Sequence, residues 1–469
     1  MLWRELLRRD FSEFPGAAGI DLLEQQENEL TLSQSSSHIE WGDAPWRQFY
    51  IENFQSSNVH SLAWVSRFQT NIESRQDHAG ARCGDYLVVY AGFTNDQSLY
   101  VLDTKAQVNE LRACIKDPNR NLQTAKMNWS RCDVAGQGPS AQMLYGHSLD
   151  KSTLLLYGGM KVPGYSMETS DVWLLHLQQA PDNSETANEL DGDACMTEKL
   201  PFRWKWEKVT VSGTIPHARA YHSAAICNKK LWIFGGTWGS RTHNDFSCLD
   251  LDTWTWESVA THGGEPPSAR MGHSCTKHGT NLIFLGGSDN PFCQGGGRDY
   301  SDAYCFDTVT GIWRSLTAAP GRIIGRRHAA VSVGDCILVI AGGSPHTNSV
   351  GCLDLKSETW SMPEMQGRKP QPRVSLSAHF CNGVIFVFGG CTDYGLSREL
   401  FLLDISDSTG AIKHKRIDET EESEEHPDYR YETFDYDYDD DEDDDNEFPP
   451  QLRMLLNLRE QLINLRNAE

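Results

Sequence analysis

Six positively charged or amide residues recur in one register of this chain: Arg75, Gln142, Arg219, Arg270, Arg326 and Arg373 each stand sixteen residues ahead of a glycine pair or its near equivalent. The chemistry such a set offers is recognition. A guanidinium fork pairs bidentately with a carboxylate, and several forks converging on one mouth would grip an acidic peptide. The same residue also has a structural use, bonding the carbonyls of its own loop. Further candidates lie in the segments after the pairs: Trp238 and Arg241, then Phe292, Arg298 and Tyr300 around the glycine-rich NPFCQGGGRDY, then Tyr394 with Arg398. Aromatic and arginine side chains are the types enriched where proteins bind proteins. Three residues past the arginine register come His78, His222 and His273, whereas the other units carry Tyr145, Ala329 and Leu376, so no six-fold histidine ring is expected. Those histidines belong to separate repeats and lack Cys or carboxylate partners at ligand spacing, which predicts structural residues and no metal site. Gly295, Gly296 and Gly297 are followed by no Lys-Ser/Thr, so they predict a loop rather than a phosphate cradle. No nucleophile elbow, general-base pair or nucleotide fingerprint occurs. The expectation is a binding protein without cofactor or catalytic residues.

The elements that must position these residues are repeated. Six apolar runs, YLVVYAG, LLLYGG, LWIFGG, LIFLGG, ILVIAGG and VIFVFGG, end at Gly92, Gly159, Gly236, Gly287, Gly343 and Gly390. In three units a Trp follows a strand-ending Asp by six residues: Asp250 to Trp256, Asp307 to Trp313 and Asp354 to Trp360. A period near fifty residues with four short strands per unit predicts an all-β fold, a β-propeller of six blades, because one twisted sheet buries both faces only by stacking on neighbours. The propeller is expected over 61–404. The last unit has no Trp after Asp404, and SLAWVSRFQ ahead of the first unit supplies a spare one, Trp64. The strand at 61–70 is therefore expected to complete the last blade and leave no open sheet edge.

The formal charge of −23 argues against a nucleic-acid partner. It is concentrated, since Asp418 to Glu447 holds eighteen acids and one Arg. That stretch, within an expected tail over 405–450, is too charged to collapse into a core. Beyond Pro450, Leu452, Leu455, Leu456, Ile463 and Leu465 fall on one helical stripe over 451–469. Thirteen cysteines include Cys248, Cys305 and Cys352 at one position of three different units, too far apart to bridge, and so read as buried thiols of a reducing compartment. No apolar run approaches the ~18 residues of a membrane span. Cytoplasm or nucleus is the expected location.

The units PHARAYHSAAICNKKLWIFGG and PPSARMGHSCTKHGTNLIFLGG closely resemble the kelch repeat, and the resemblance covers the middle of the chain. It implies a first strand at the central channel of each blade, and it places the arginine register at a turn on the face where kelch domains receive ligands. Copper-oxidase rings of this kind need a tyrosine, a cysteine and two histidines on one metal, and no such set is evident. The N-terminal LWRELLRRDF followed by PWRQFYI resembles the end of an F-box and the segment after it. That resemblance implies adaptor contacts by Leu2, Trp3, Leu6 and Leu7 within a helical segment and linker over 1–60. The opening helices of an F-box would lie upstream of Met1. Together the two resemblances imply a substrate receptor of a cullin-type ubiquitin ligase, with Skp adaptor and cullin as partners. The alternative is a kelch scaffold outside ubiquitin chemistry, cytoskeletal or trafficking. Strand direction further predicts that the insertions Lys105 to Lys126 and Gln178 to Phe202 crowd one face with both termini, and that the arginines open onto the other.

Overall fold

A computed structural model of the chain describes residues 61–405, apart from 95–97, 117–128, 140–142, 161–167, 180–201, 239–240, 291–297, 321–323, 344–345, 368 and 382. The expected F-box-like segment, with Leu2, Trp3, Leu6 and Leu7, the acidic tail and the last helix lie outside the described residues.

Six antiparallel sheets of four strands follow one another in a propeller-like arrangement. Sheet one is Ala79–Cys83, Tyr86–Tyr90, Leu99–Asp103 and Ser130–Cys132. Sheet two is Met143–Ser148, Thr153–Met160, Val172–Gln179 and Phe202–Val209. Sheet three is Ser223–Cys227, Lys230–Phe234, Phe246–Asp250 and Thr255–Ser258. Sheet four is Ser274–His278, Asn281–Leu285, Ala303–Asp307 and Ile312–Leu316. Sheet five is Ala329–Val333, Cys336–Gly342, Thr347–Asp354 and Thr359–Ser361. Sheet six takes Ser377–Cys381, Val384–Phe388 and Glu399–Asp404 from the end of the chain, and its outer strand, Ser61–Gln69, from the beginning.

The sequence dictates this layering. First strands are rich in small residues, as in Ser-Ala-Ala and Ala-Ala-Val-Ser, which lets each inner strand approach the next; contacts run from the first inner strand to the sixth and back to the first. Second strands are continuous apolar runs rather than alternating ones, because both of their faces are covered. Val384–Phe388 is buried at every position. The hairpin at Cys227–Lys230 turns on Asn228 and Lys229, both left-handed, the conformation that matches the twist of its strands. Six hydrophobic cores lie in the seams between neighbouring sheets, including one between sheets six and one built on Phe386, Phe388, Leu400, Leu87 and Tyr100.

Outer edges are covered as well. The segment leaving one sheet pairs in parallel with the outer strand of the next: Val134–Ala135 on Trp204 and Lys205, Ser212–Gly213 on Thr255 and Trp256, and Glu364–Gln366 on Ser61 to Ala63. In sheet one the amide of Asn71 substitutes for a strand, bonding both the N–H and the C=O of Trp129 at 2.9 and 2.8 Å. Gly367 shows why a glycine ends such a clasp: its φ is +75°, and a Cβ would run into the Trp64 carbonyl. Gly213 and Gly264 stand in the same relation to Trp256 and Trp313, so Trp64 occupies in sheet six the place of those tryptophans. Ten cysteines are described, all with free thiols. Among the described residues no helix is long and apolar enough to cross a membrane.

Candidate functional site

In a four-stranded meander the second-to-third connections and the links between sheets share one end, and that face carries the arginine register. Its arginines do not open onto solvent. Arg75, Arg219, Arg270 and Arg373 are all but completely buried. Each makes the same bonds. Nε donates to a carbonyl two residues earlier, and Nη1 donates to the carbonyl of the first member of its own glycine pair: Ala91, Gly235, Gly286 or Gly389, at 2.9 to 3.0 Å. The remaining donors of three of them take a carboxylate at the start of the third strand. Arg219 pairs with Asp245 at 2.6 and 2.9 Å, Arg270 with Asp302 at 2.6 and 2.9 Å, and Arg373 with Glu399 at 3.0 Å. Burial pushes the Asp245 carboxyl up, and the Arg219 fork more than offsets it, so the group titrates below the usual range.

The arginine backbone joins sheets. The carbonyls of Arg75, Arg219 and Arg270 accept from the second glycine of the preceding sheet, Gly390, Gly159 and Gly236, each at 2.9 Å. The expectation that these arginines grip an acidic ligand is therefore corrected for four of them: the forks are consumed inside the repeat. For Arg270 and Arg373, whose carboxylate partners are 31% and 13% exposed, removing one partner costs about 3 kcal/mol, the low end of the buried range. The carboxylates beside Arg219, Arg270 and Arg373 also compensate the charge of these three, leaving them none with which to draw an acidic motif.

Arg326 requires a second correction. The left-handed pair of sheet five is Ala341 and Gly342, with φ of 59° and 95°, matching 60° and 96° at Gly286 and Gly287. Sixteen residues before Ala341 stands Gly325, and its carbonyl receives the Gly287 N–H at 2.9 Å, as the arginine carbonyls do elsewhere. Arg326 is one residue out of register, its Nε 3.7 Å from Asp299. The shift also brings His328, not Ala329, into the histidine column.

The residues that do face solvent are the aromatic and basic ones of the second-to-third connections. Trp238 is 48% exposed, on a two-strand ribbon opposite Arg241, and one side of its ring is stacked on His217 at 4.9 Å and 5°. Tyr394 is 78% exposed at the tip of the sheet six ribbon, and Phe93, which the sequence reasoning passed over, is 42% exposed beside the sheet one pair. Arg298 is exposed, with its guanidinium 5.6 Å from the Tyr300 ring centroid. Phe292 lies outside the described residues. At the axis a collar of left-handed residues links the sheets: Gly272 donates to Tyr221, Arg327 to Gly272, Ser375 to Arg327 and Asp77 to Ser375, at 2.6 to 3.2 Å. Arg327 lies over the Tyr221 ring at 4.5 Å. The arrangement can bind a surface. Among the described residues no group of three or more His, Cys, Asp or Glu is placed to hold a metal ion.

A family model, the KLHDC2/KLHL20/DRC7 Kelch-repeats domain, matches residues 109–343 and 327–434. The chain belongs to the kelch-repeat family. Among known kelch proteins it is 28% identical over 351 residues to Kelch domain-containing protein 3 of Homo sapiens, covering 71% of this chain and 82% of that one. Acyl-CoA-binding domain-containing protein 4 of Arabidopsis thaliana is 27% identical over 374 residues, 70% of this chain and 55% of the other. Among solved structures, YjhT aligns with a TM-score of 0.49 at 14% identity, covering 71% of this chain and 95% of that one.

Proposed function

We propose that this kelch chain is a six-bladed propeller, closed by Ser61–Gln69, that holds a protein partner on the face bearing Trp238, Arg241, Arg298 and Tyr394. The observation that carries the reading is the exposed aromatic set on that face. A half-exposed Trp ring braced by His217 offers a large preorganised apolar surface with little side-chain entropy left to lose. In this reading the buried arginines shape the face rather than touch the ligand.

The same proposal makes the chain a substrate-recognition subunit of a cullin-type ubiquitin ligase, working in the cytoplasm or nucleus. Its support is the F-box-like pattern LWRELLRRDF…PWRQFYI ahead of the first strand. A kelch scaffold outside ubiquitin chemistry remains the second reading, favoured by one observation: the family match runs over 109–434, within the repeats, and does not reach the F-box-like segment. Affinity purification of the full chain decides between them. Stoichiometric Skp adaptor and cullin support the ligase subunit, and their absence while other proteins co-purify through the face supports the scaffold.

A further inference from the structure

Each of the six inner segments carries one histidine: His78, His222, His273 and His328 are buried, and His147 and His379 are half-buried. Four of them, His78, His222, His273 and His328, occupy one column and act as wedges in the seams between sheets. Their Cβ atoms stand where a side chain on the second member of their own glycine pair would go, 2.6 to 2.8 Å from a Cβ built on Gly92, Gly236, Gly287 or Gly342. Their ring Cε1 atoms reach across the seam to the first glycine of the preceding sheet, 3.0 to 3.3 Å from a Cβ built on Gly389, Gly158, Gly235 or Gly286. The glycine pairs thus make room for imidazoles. Three of the rings then sit edge-on against the aromatic residue before that glycine, Phe388, Tyr157 or Phe234, at 5.2 to 5.5 Å.

Such a seam suits a neutral ring and has no place for a charged one. The groups facing these rings are hydroxyls, other imidazoles, guanidinium groups and, at His273 and His328, the backbone of Phe234 and Gly325. His78 meets Ser377 at 2.7 Å, with Arg75 and His379 as its charged or titratable neighbours. His222 has Arg219 and His147; His273 has Arg270, His222 and His328. His328 is bonded to Ser274 and to the Gly325 carbonyl at 2.8 and 2.9 Å. None of the four has a carboxylate as a neighbour that would favour its charged form. The Phe234 backbone beside His273 favours its charged form, and burial together with Arg270 outweighs it.

We propose that the four wedge histidines make the sheet-to-sheet seams acid-labile, so that the binding face is assembled at neutral pH and comes apart in mildly acidic surroundings. Burial, with Arg75 and His379 beside it, drives His78 down to about 3, burial drives His328 down to about 4, and burial, with Arg219 and Arg270 beside them, holds His222 and His273 well below 6.5. A histidine that stays neutral in the fold titrates near 6.5 once exposed, so the opened chain takes up the proton first. The stability each wedge lends is whole above about pH 6.5 and drains away as pH falls toward the folded value. At pH 5.5 one such histidine favours the open state roughly tenfold, and four do so roughly ten-thousandfold.

The test follows intrinsic tryptophan fluorescence of the full chain through urea denaturation at pH 7.5 and 5.5, with no partner needed. A large fall in midpoint at pH 5.5 is expected, and His273→Gln is expected to remove roughly tenfold of the acid effect on the unfolding equilibrium, as is His328→Gln. His262→Gln, at an exposed residue outside the wedge column and away from the binding face, serves as the control and leaves the acid effect whole. An equal midpoint at both pH values overturns the proposal, as does an acid effect that survives unchanged in the wedge variants. Should a wedge variant not fold, titration of the imidazole resonances of the native chain replaces it: wedge rings already protonated at pH 5.5 in folded protein contradict the proposal, and rings neutral there support it.

Discussion

Replacing Trp64 by Ala tests how the two ends of the repeat array are joined. Trp64 is 4% exposed and packs in the core shared by sheets five and six, edge-on to Phe401 at 5.9 Å, with Leu338, Ile385 and Leu403 around it. Removing a buried Trp side chain costs about 3–5 kcal/mol. Much of the closing strand depends on that anchor, since Ser61–Gln69 pairs with Glu399–Asp404 on one side and with Glu364–Gln366 on the other. Loss of the strand would also bare the edge of Glu399–Asp404, an apolar Leu-Phe-Leu-Leu run that is a template for pairing with other chains. Chemical denaturation should therefore show a loss of about 3–5 kcal/mol, with light scattering showing association at concentrations where the parent stays monomeric. A second variant, Gly367→Val, leaves Trp64 in place and should act in the same direction, because its side chain meets the Trp64 carbonyl at a left-handed backbone. A Trp64→Ala protein as stable and as monomeric as the parent would refute the closure.

Other outcomes follow from the same contacts. Arg270→Lys should lower stability by about 3 kcal/mol or more, because a lysine cannot bond Gly286, Ser268 and Asp302 together; thermal unfolding measures it, and a near-neutral change would return the arginine to the ligand. Trp238→Ala should leave the melting temperature within about a degree or two, its ring being half exposed, and should weaken partner binding by about 2 kcal/mol or more in calorimetry. Because the described thiols are free, adding reductant should not shift the melting temperature; a reductant-dependent fall would reveal a bridge.

Much of this fold was legible because its repeat is written in residue types that few alternatives satisfy. Glycine pairs mark left-handed positions, Trp marks the outer strand, and Trp64 appeared ahead of the repeats in the place a sixth unit lacked. Sheet five was misaligned because Ala-Gly-Gly contains two adjacent pairs and glycine count favours the wrong one, whereas backbone geometry uses Ala341 and Gly342. His328 was the available signal, since it joins the histidine column only in the correct register. The arginines were harder. Spacing alone cannot tell a fork aimed at solvent from one aimed at Asp245, Asp302 or Glu399, because the carboxylate lies 26 residues on in two units and 32 in the third, and is Asp in two and Glu in the other. An acid at the start of the third strand in three units was the overlooked clue. The histidines escaped as a set because two of the six, His147 and His379, sit at other positions along their strands.

The claim at the centre of this account is that partners are held on the face of Trp238 and Tyr394, and one comparison tests it most directly. The tagged full chain, a Trp238→Ala/Tyr394→Ala variant and a Val309→Asp variant on the opposite face should be purified in parallel from cells and their bound proteins quantified. Val309 is 71% exposed on a third-to-fourth turn, so its change should be silent. The account predicts partners lost from the aromatic variant and retained by Val309→Asp. Equal recovery on all three, or loss on Val309→Asp alone, would contradict it.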